Sequence, residues 1–236
     1  MVILTTLYNS KDYIERCLST IMTQKYTDFK CFITDDLSTD GSADIAEDFI
    51  MGDDRFILIR NENKHFQVGN YNQILTGDYG LKDDEIVIEV DGDDWLPDRN
   101  VFARVADVYS DPNIWIAYGR FKYHDGRPGF ATPPPSFVNL RNLVFTCSHL
   151  RTWRVGLWRK INQEDFIDDH GGFYDCSGDL AFMYPMLEMA GTERFKFMTD
   201  INYIYNEETP INEHKLYLSK VQETCARIRR KPPYQK

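Results

Sequence analysis

Apolar positions fall into short blocks that alternate between two periods along the first half of the chain. Val2 to Thr6 is a continuous apolar run of strand length, and Ile14, Leu18, Ile21 and Met22 then recur at helical spacing. Ser10 or Asp12 offers an N-cap for that helix, with Glu15 three residues after Asp12 in the position of a capping box. Phe29 to Thr34 predicts a second strand, and Ser42 to Ile50 a helix with Ile45, Phe49 and Ile50 on one face. Phe56 to Ile59 is a third strand, followed by a short helix from about Val68 to Leu75. Ile86 to Val90 is a fourth strand. Pro97-Asp98 then starts a helix carrying Val101, Val105 and Val108, and Ile114 to Tyr118 returns as a strand.

Strands alternating with helices over about the first 120 residues predict an α/β fold, with a mostly parallel sheet flanked by helices on both faces. The rhythm breaks at Gly126 to Pro135, whose Pro and Gly content marks a boundary between subregions of one domain. Beyond it the pattern is irregular. Its most regular segment is a helix from Asp179 to Ala190, with Leu180, Met183, Tyr184 and Leu187 on one face.

Composition narrows the function classes. The 236 residues are 42% hydrophobic, enough to bury a core without disulfides, and the five cysteines form no C-x-x-C pair. A formal charge of −10 argues against nucleic-acid binding, which needs clustered Lys and Arg. The one basic run, Arg227, Arg229, Arg230 and Lys231, reads as a solvated tail, with a peripheral membrane or phosphate contact as the alternative. No apolar stretch approaches the roughly 18 residues of a membrane span, so a cytoplasmic or otherwise soluble protein without an integral membrane segment is expected.

The chemistry concentrates where strands end. Ligands of open parallel sheets collect outside the carboxyl ends of the strands. Three polar clusters fall there: Thr5 to Asn9, Asp35 to Asp40, and Asp91 to Asp94. Carboxylates this close repel one another unless a counter-charge is present, and hard oxygen donors suit Mg2+ or Mn2+ holding substrate phosphates. An Asp-rich turn capping the next helix is the plainer alternative. Glu89, inside a strand read as buried, has no evident partner in the sequence.

The stretch LTTLYNSKDYIERCLSTIMTQKYTDFKCFITDDLSTDGSADIAEDF, followed at the right distance by Asp91-Gly92-Asp93, resembles the opening of family 2 glycosyltransferases of GT-A fold. The resemblance covers Val2 to Val108 well and the remainder loosely. It implies one glycosyltransferase domain over residues 1–236, with a nucleotide-sugar-binding half at 1–125 and an acceptor half with tail at 126–236. It also implies a nucleotide-diphosphate sugar donor, UDP-linked by preference. The acceptor would be a hydroxyl of a glycan, a glycoprotein or a small molecule, glycosylated with inversion.

Carried over residue by residue, Thr6, Tyr8 and Asn9 would line the nucleoside pocket. Asp36, rather than Asp35, would bond the base. Asp91 and Gly92 would face the ribose or metal, and Asp93 would be the principal ligand of Mn2+ or Mg2+, with Asp91 beside it. In NKHFQVGNYNQIL, Asn63 and Asn72 fit the family, whereas His65 stands for a glycine and Tyr71 for an arginine. Gly69, Asn70 and Asn72 would place helix N-terminal amides near the donor. In YDCSGDLAFMYPMLEMAG, Asp179 matches the catalytic base, with Asp175 in reserve and helix capping as its alternative role. His214 in YIYNEETPINEHK matches a metal-ligating His, and TCSHLRTWR, containing His149, borders the acceptor cleft, where Arg151, Trp153 and Trp158 would meet a sugar.

Two other classes share some of these features. A phosphotransferase with an aspartyl nucleophile also joins an apolar strand to D-x-D and needs a second acidic pair, for which Asp168-Asp169 is available. A sugar-binding module without turnover would have no use for a base at Asp179.

Overall fold

The structure, a computed structural model, describes residues 1–209 and 218–235. Seven strands form one sheet: β1 (Val2–Leu7), β2 (Lys30–Asp35), β3 (Phe56–Arg60), β4 (Ile86–Glu89), β5 (Ile116–Tyr123), β6 (Arg151–Arg154) and β7 (Phe195–Tyr205). Their spatial order is β3-β2-β1-β4-β6-β5-β7. β1, β2, β3 and β4 are mutually parallel, and β5 is parallel to β7. β6 runs antiparallel to both of its neighbours, β4 and β5.

Helices cover both faces. On one side α1 (Ile14–Met22), α2 (Ser42–Ile50) and α4 (Val101–Val108) pack on Ile3, Leu7, Ile33 and Ile88. On the other, α3 (Phe66–Thr76), the single turn α5 (Val155–Trp158), α6 (Gly178–Ala190) and α7 (Leu218–Arg230) pack on Val2, Leu4, Phe32 and Val87. Alternate residues of β1 and β4 thus feed opposite cores, as the pleat requires, which is why these strands read as unbroken apolar runs. Among the described residues no helix is long and apolar enough to cross a membrane.

The strand expected at Ile114 to Tyr118 runs instead over Ile116–Tyr123, α4 starts at Val101 rather than at Pro97-Asp98, and the starts of α1 and α3 differ for reasons the contacts show. α1 has Tyr13 at its N-cap and no side-chain cap, because Ser10 Oγ donates to the Tyr8 carbonyl, while the Ser10 carbonyl accepts the Tyr13 and Ile14 amides. α3 begins at Phe66, two residues before the expected Val68, since the Asp36 carboxylate accepts the His65 and Phe66 amides and so starts the helix early.

Candidate active site

Parallel pairing brings the loops after β1, β2 and β4 to one end of the sheet. Gly92 N donates to the Thr6 carbonyl at 3.1 Å, and a Cβ on Gly92 would lie 2.9 Å from that oxygen, so only glycine permits this approach. Asn9, at φ +47°, accepts the Thr39 amide on Oδ1 at 2.8 Å and donates its own amide to Ser38 Oγ, which ties the first loop to the second. Tyr8 is partly exposed, with Lys64 Nζ 2.8 Å from its ring centroid. Thr6, Tyr8, Asn9, Asp36, Asp91, Gly92 and Asp93 therefore come together as a group.

Asp36 is almost fully buried, and its carboxylate already accepts from Asn61 Nδ2 and from the two amides that open α3. It is the anchor of that helix, whatever else it contacts. Asn72 is not brought to the loops: its Oδ1 accepts from the Trp158 indole at 3.2 Å. Asn70 likewise lies past the first turn of α3, where amides are taken by the helix itself, and its side chain accepts from Asn61 at 2.6 Å. Tyr71, in the place of the expected arginine, is buried among Trp153, Trp158 and Phe182.

The acidic turn after β4 is held from several sides. Asp91 N donates to Tyr203 Oη at 3.1 Å, and its carbonyl accepts from Cys17 Sγ. Asp94 Oδ1 accepts the Asn206 amide at 2.6 Å, and Asp93 Oδ2 accepts from Thr209 Oγ1 at 2.7 Å. Burial pushes the Asp91 carboxyl well above its ordinary range, and the charges of Glu89 and Asp93 push it further. Burial also raises Asp93, while the Thr209 hydroxyl opposes the shift. Among the described residues neither Asp93 nor Asp94 has an ion-pair partner. Oxygen donors with this much uncompensated charge fit a hard divalent cation.

Buried His149 stacks on Tyr203, with centroids 4.4 Å apart and planes at 11°, and its Nδ1, without a hydrogen-bond partner, lies 3.9 Å from Asp91 Oδ2. Burial, followed by the Arg151 charge, lowers its pKa well below the imidazole norm, so the ring is neutral and can donate a lone pair. Glu89, Asp91 and His149 each offer a ligand atom within 4.8 Å of the others. His214 lies outside the described residues.

Glu89 has the partner that the sequence did not reveal. Fully buried in β4, it accepts from Arg151 Nη1 at 2.8 Å and from Gln67 Nε2 at 2.9 Å. Gln67 Nε2 also reaches Asp91 Oδ1 at 3.4 Å. The other arm of the guanidinium, Arg151 Nη2, donates to Asp179 Oδ2 at 2.8 Å. Asp179 is the second residue of α6, and its Oδ1 accepts the Leu180 amide at 3.0 Å, so one oxygen serves the helix start and the other the arginine. Each carboxylate oxygen retains lone-pair capacity for a further proton donor.

Several expected acceptor contacts are corrected. Arg151 is buried in the ion pairs just described, so it is not presented to a sugar. Trp153 and Trp158 are fully buried and stack on each other at 5.9 Å within the core of Tyr71, Phe166 and Phe182, which removes them as sugar platforms. Asp175 pairs with Lys220 of α7. Asp168 binds the amides of His170 and Gly172 in its own turn, and Asp169 pairs with Arg227 of α7.

The mostly parallel sheet thus carries an acidic turn at the end of its fourth strand, linked through Arg151 and Glu89 to a carboxylate at a helix start. The model for "Glycosyl transferase family 2" matches residues 2–185, and the chain belongs to that family. The putative glycosyltransferase EpsH of Bacillus subtilis (strain 168) is 33% identical over 221 residues, 93% of this chain and 61% of EpsH. Glycosyltransferase GlyA of Streptococcus pneumoniae serotype 4 is 26% identical over 135 residues, so this chain matches only 18% of its length.

S. aureus TarS 1–349, solved in complex with UDP-GlcNAc, superposes with a TM-score of 0.68 at 17% identity, covering 96% of this chain and 65% of that one. The mannosyltransferase PcManGT from Pyrobaculum calidifontis, in complex with GDP-Man and Mn2+, gives 0.65 at 17% identity, covering 99% and 65%. The architecture is the GT-A glycosyltransferase fold.

Proposed function

We propose that the protein transfers a sugar from a nucleotide-diphosphate donor, a UDP-sugar by preference, to an acceptor hydroxyl with inversion, as a single domain over residues 1–236. One observation carries the reading: Arg151 joins the buried Glu89, beside the acidic turn, to Asp179 at the start of α6. This supports a cation site and a base at the same end of the sheet, with the Asp179 oxygens keeping lone pairs for a further proton donor beyond Arg151 and the Leu180 amide.

The loops holding Thr6, Tyr8, Asn9 and Asp36 would cradle the nucleoside, with Asp91 and Gly92 at the ribose and diphosphate. Asp93 and Asp91 would hold the divalent cation, with the neutral His149 beside them; when bound, that cation offsets charge on the departing diphosphate. Asp179 accepts the proton of the acceptor hydroxyl as that oxygen forms its bond to the anomeric carbon. The bond from that carbon to the diphosphate oxygen breaks with its electron pair on the leaving group, and in-line attack inverts the centre. UDP-GlcNAc in a TarS complex and GDP-Man with Mn2+ in PcManGT support the donor class and the metal.

The test is nucleotide release from UDP-N-acetylglucosamine, UDP-glucose and GDP-mannose with Mn2+, for the wild type and for Asp179→Asn. Turnover with one donor, lost in the variant while nucleotide binding persists, is the expected result. An Asp179→Asn variant as active as wild type removes the base assignment.

A further inference from the structure

Glu89 is an ionisable group within an apolar strand, between the fully buried Ile88 and Val90. Stability gives no reason for it, since apolar side chains in place of a buried ion pair commonly hold a fold as well or better. Its geometry gives one. We propose that Arg151 and Glu89 are positioning residues for the transfer reaction, which with Gln67 fix the Asp179 carboxylate relative to Asp91. The inference rests on the functional reading above and adds to it how the base is held.

The antiparallel register pairs Ile88 with Thr152, so the sheet itself sets Arg151 next to Glu89. The guanidinium is a rigid plane, and its two arms each hold one carboxylate at 2.8 Å. That fork fixes the separation between a residue of β4 and a residue of α6. Behind it, Gln67 Nε2 bridges Glu89 Oε1 at 2.9 Å and Asp91 Oδ1 at 3.4 Å, which extends the link to the acidic turn. Glu89 also shares the Arg151 charge. With no second carboxylate to hold, the arginine could clamp Asp179 alone, turning it from the cleft and weakening it as a base.

In this account Asp91 and Asp93 hold the cation, while Glu89 Oε1 is taken up by Arg151 and Gln67 and touches neither cation nor donor, so loss of the link changes kcat and spares donor affinity. A displacement of about 1 Å at a reacting group costs on the order of a hundredfold in rate. Arg151→Lys replaces the fork with a point charge, and Glu89→Gln keeps the shape while removing the charge.

Both variants are compared with wild type by nucleotide release with the active member of the same three-donor panel. Mn2+-dependent UDP or GDP affinity is measured by calorimetry, and the melting temperature is recorded. The expected result is a fall in kcat of about tenfold or more, with donor KM and nucleotide affinity within about twofold of wild type. Where Arg151→Lys does not stay folded, the near-isosteric Glu89→Gln decides. Unchanged kcat in the folded variants overturns the proposal, and so does a parallel loss of nucleotide affinity, which would mark a merely structural pair. A wild type without turnover on any donor defeats the functional reading itself and leaves Arg151 no base to place.

Discussion

Replacing Arg151 by alanine should be among the most damaging single changes to stability in this chain. Glu89 is fully buried and Arg151 nearly so, and both hydrogen bonds of the guanidinium to carboxylates are 2.8 Å long. Removing the cation leaves Glu89 without a counter-charge, which costs about 3–5 kcal/mol for a buried pair broken on one side. For a chain of this length that corresponds to a fall of roughly 6–20 °C in melting temperature, at roughly 2–4 °C per kcal/mol. Burial already raises the Glu89 pKa, with Arg151 opposing the shift, and losing Arg151 raises it further.

The sign of the pH effect follows. A carboxyl whose folded pKa exceeds its unfolded value favours the fold below the unfolded pKa, and that contribution is lost as pH rises through the folded pKa. The deficit of Arg151→Ala should therefore be larger at pH 8 than at pH 5. Urea unfolding at both values, read from the midpoint at constant m, measures it. The double variant Glu89→Leu with Arg151→Met should recover most of the lost stability, because neither member of the pair is left as an unmatched buried charge. A cost below about 1 kcal/mol for Arg151→Ala, or a deficit that grows as pH falls, would refute the assignment of a buried, charge-dependent pair.

Asp93→Ala should abolish the Mn2+ dependence of nucleotide binding in calorimetry, leaving an affinity like that of wild type with chelator. In the wild type the same binding should weaken as pH falls through the mildly acid range, because the raised Asp91 and Asp93 carboxyls take up protons that compete with the metal. Trp158→Ala should cost about 3–5 kcal/mol in urea unfolding, as loss of a buried aromatic does, and leave KM for the sugar donor unchanged. Gly92→Ala should lower nucleotide affinity by separating the Thr6 and Gly92 backbones, where a Cβ has only 2.9 Å to the carbonyl oxygen.

How far the sequence reveals this molecule depends on where each instruction is written. β1 and β4 are unbroken apolar runs because both of their faces are buried, so they are legible without partners. β6 is not: four residues with arginine at each end look like a surface turn, and only pairing with β4 and β5 makes them a strand. β7 alternates irregularly because its register to β5 shifts around Arg120. The carboxylates of the acidic turn could be located from their place after a strand. Their support could not, because Tyr203, Asn206 and Thr209 lie more than a hundred residues away in sequence. Trp153 and Trp158 misled for a simple reason: an indole carries no sign of whether it faces a ligand or a core. The charge of Glu89 inside an apolar strand was the one visible sign of Arg151, since a buried carboxylate requires a cation somewhere.

β6 also settles how the two halves of the chain depend on each other. It arrives last among the strands of the sheet's middle and inserts between β4 and β5, which would otherwise share no hydrogen bonds. A polypeptide ending before Arg151 would present β4 as a bare, mostly apolar border, open to any extended segment that could zip onto it. Expression of the first 125 residues alone should therefore yield aggregates, and on the ribosome the acidic turn would acquire its final shape only after Tyr203, Asn206 and Thr209 have emerged.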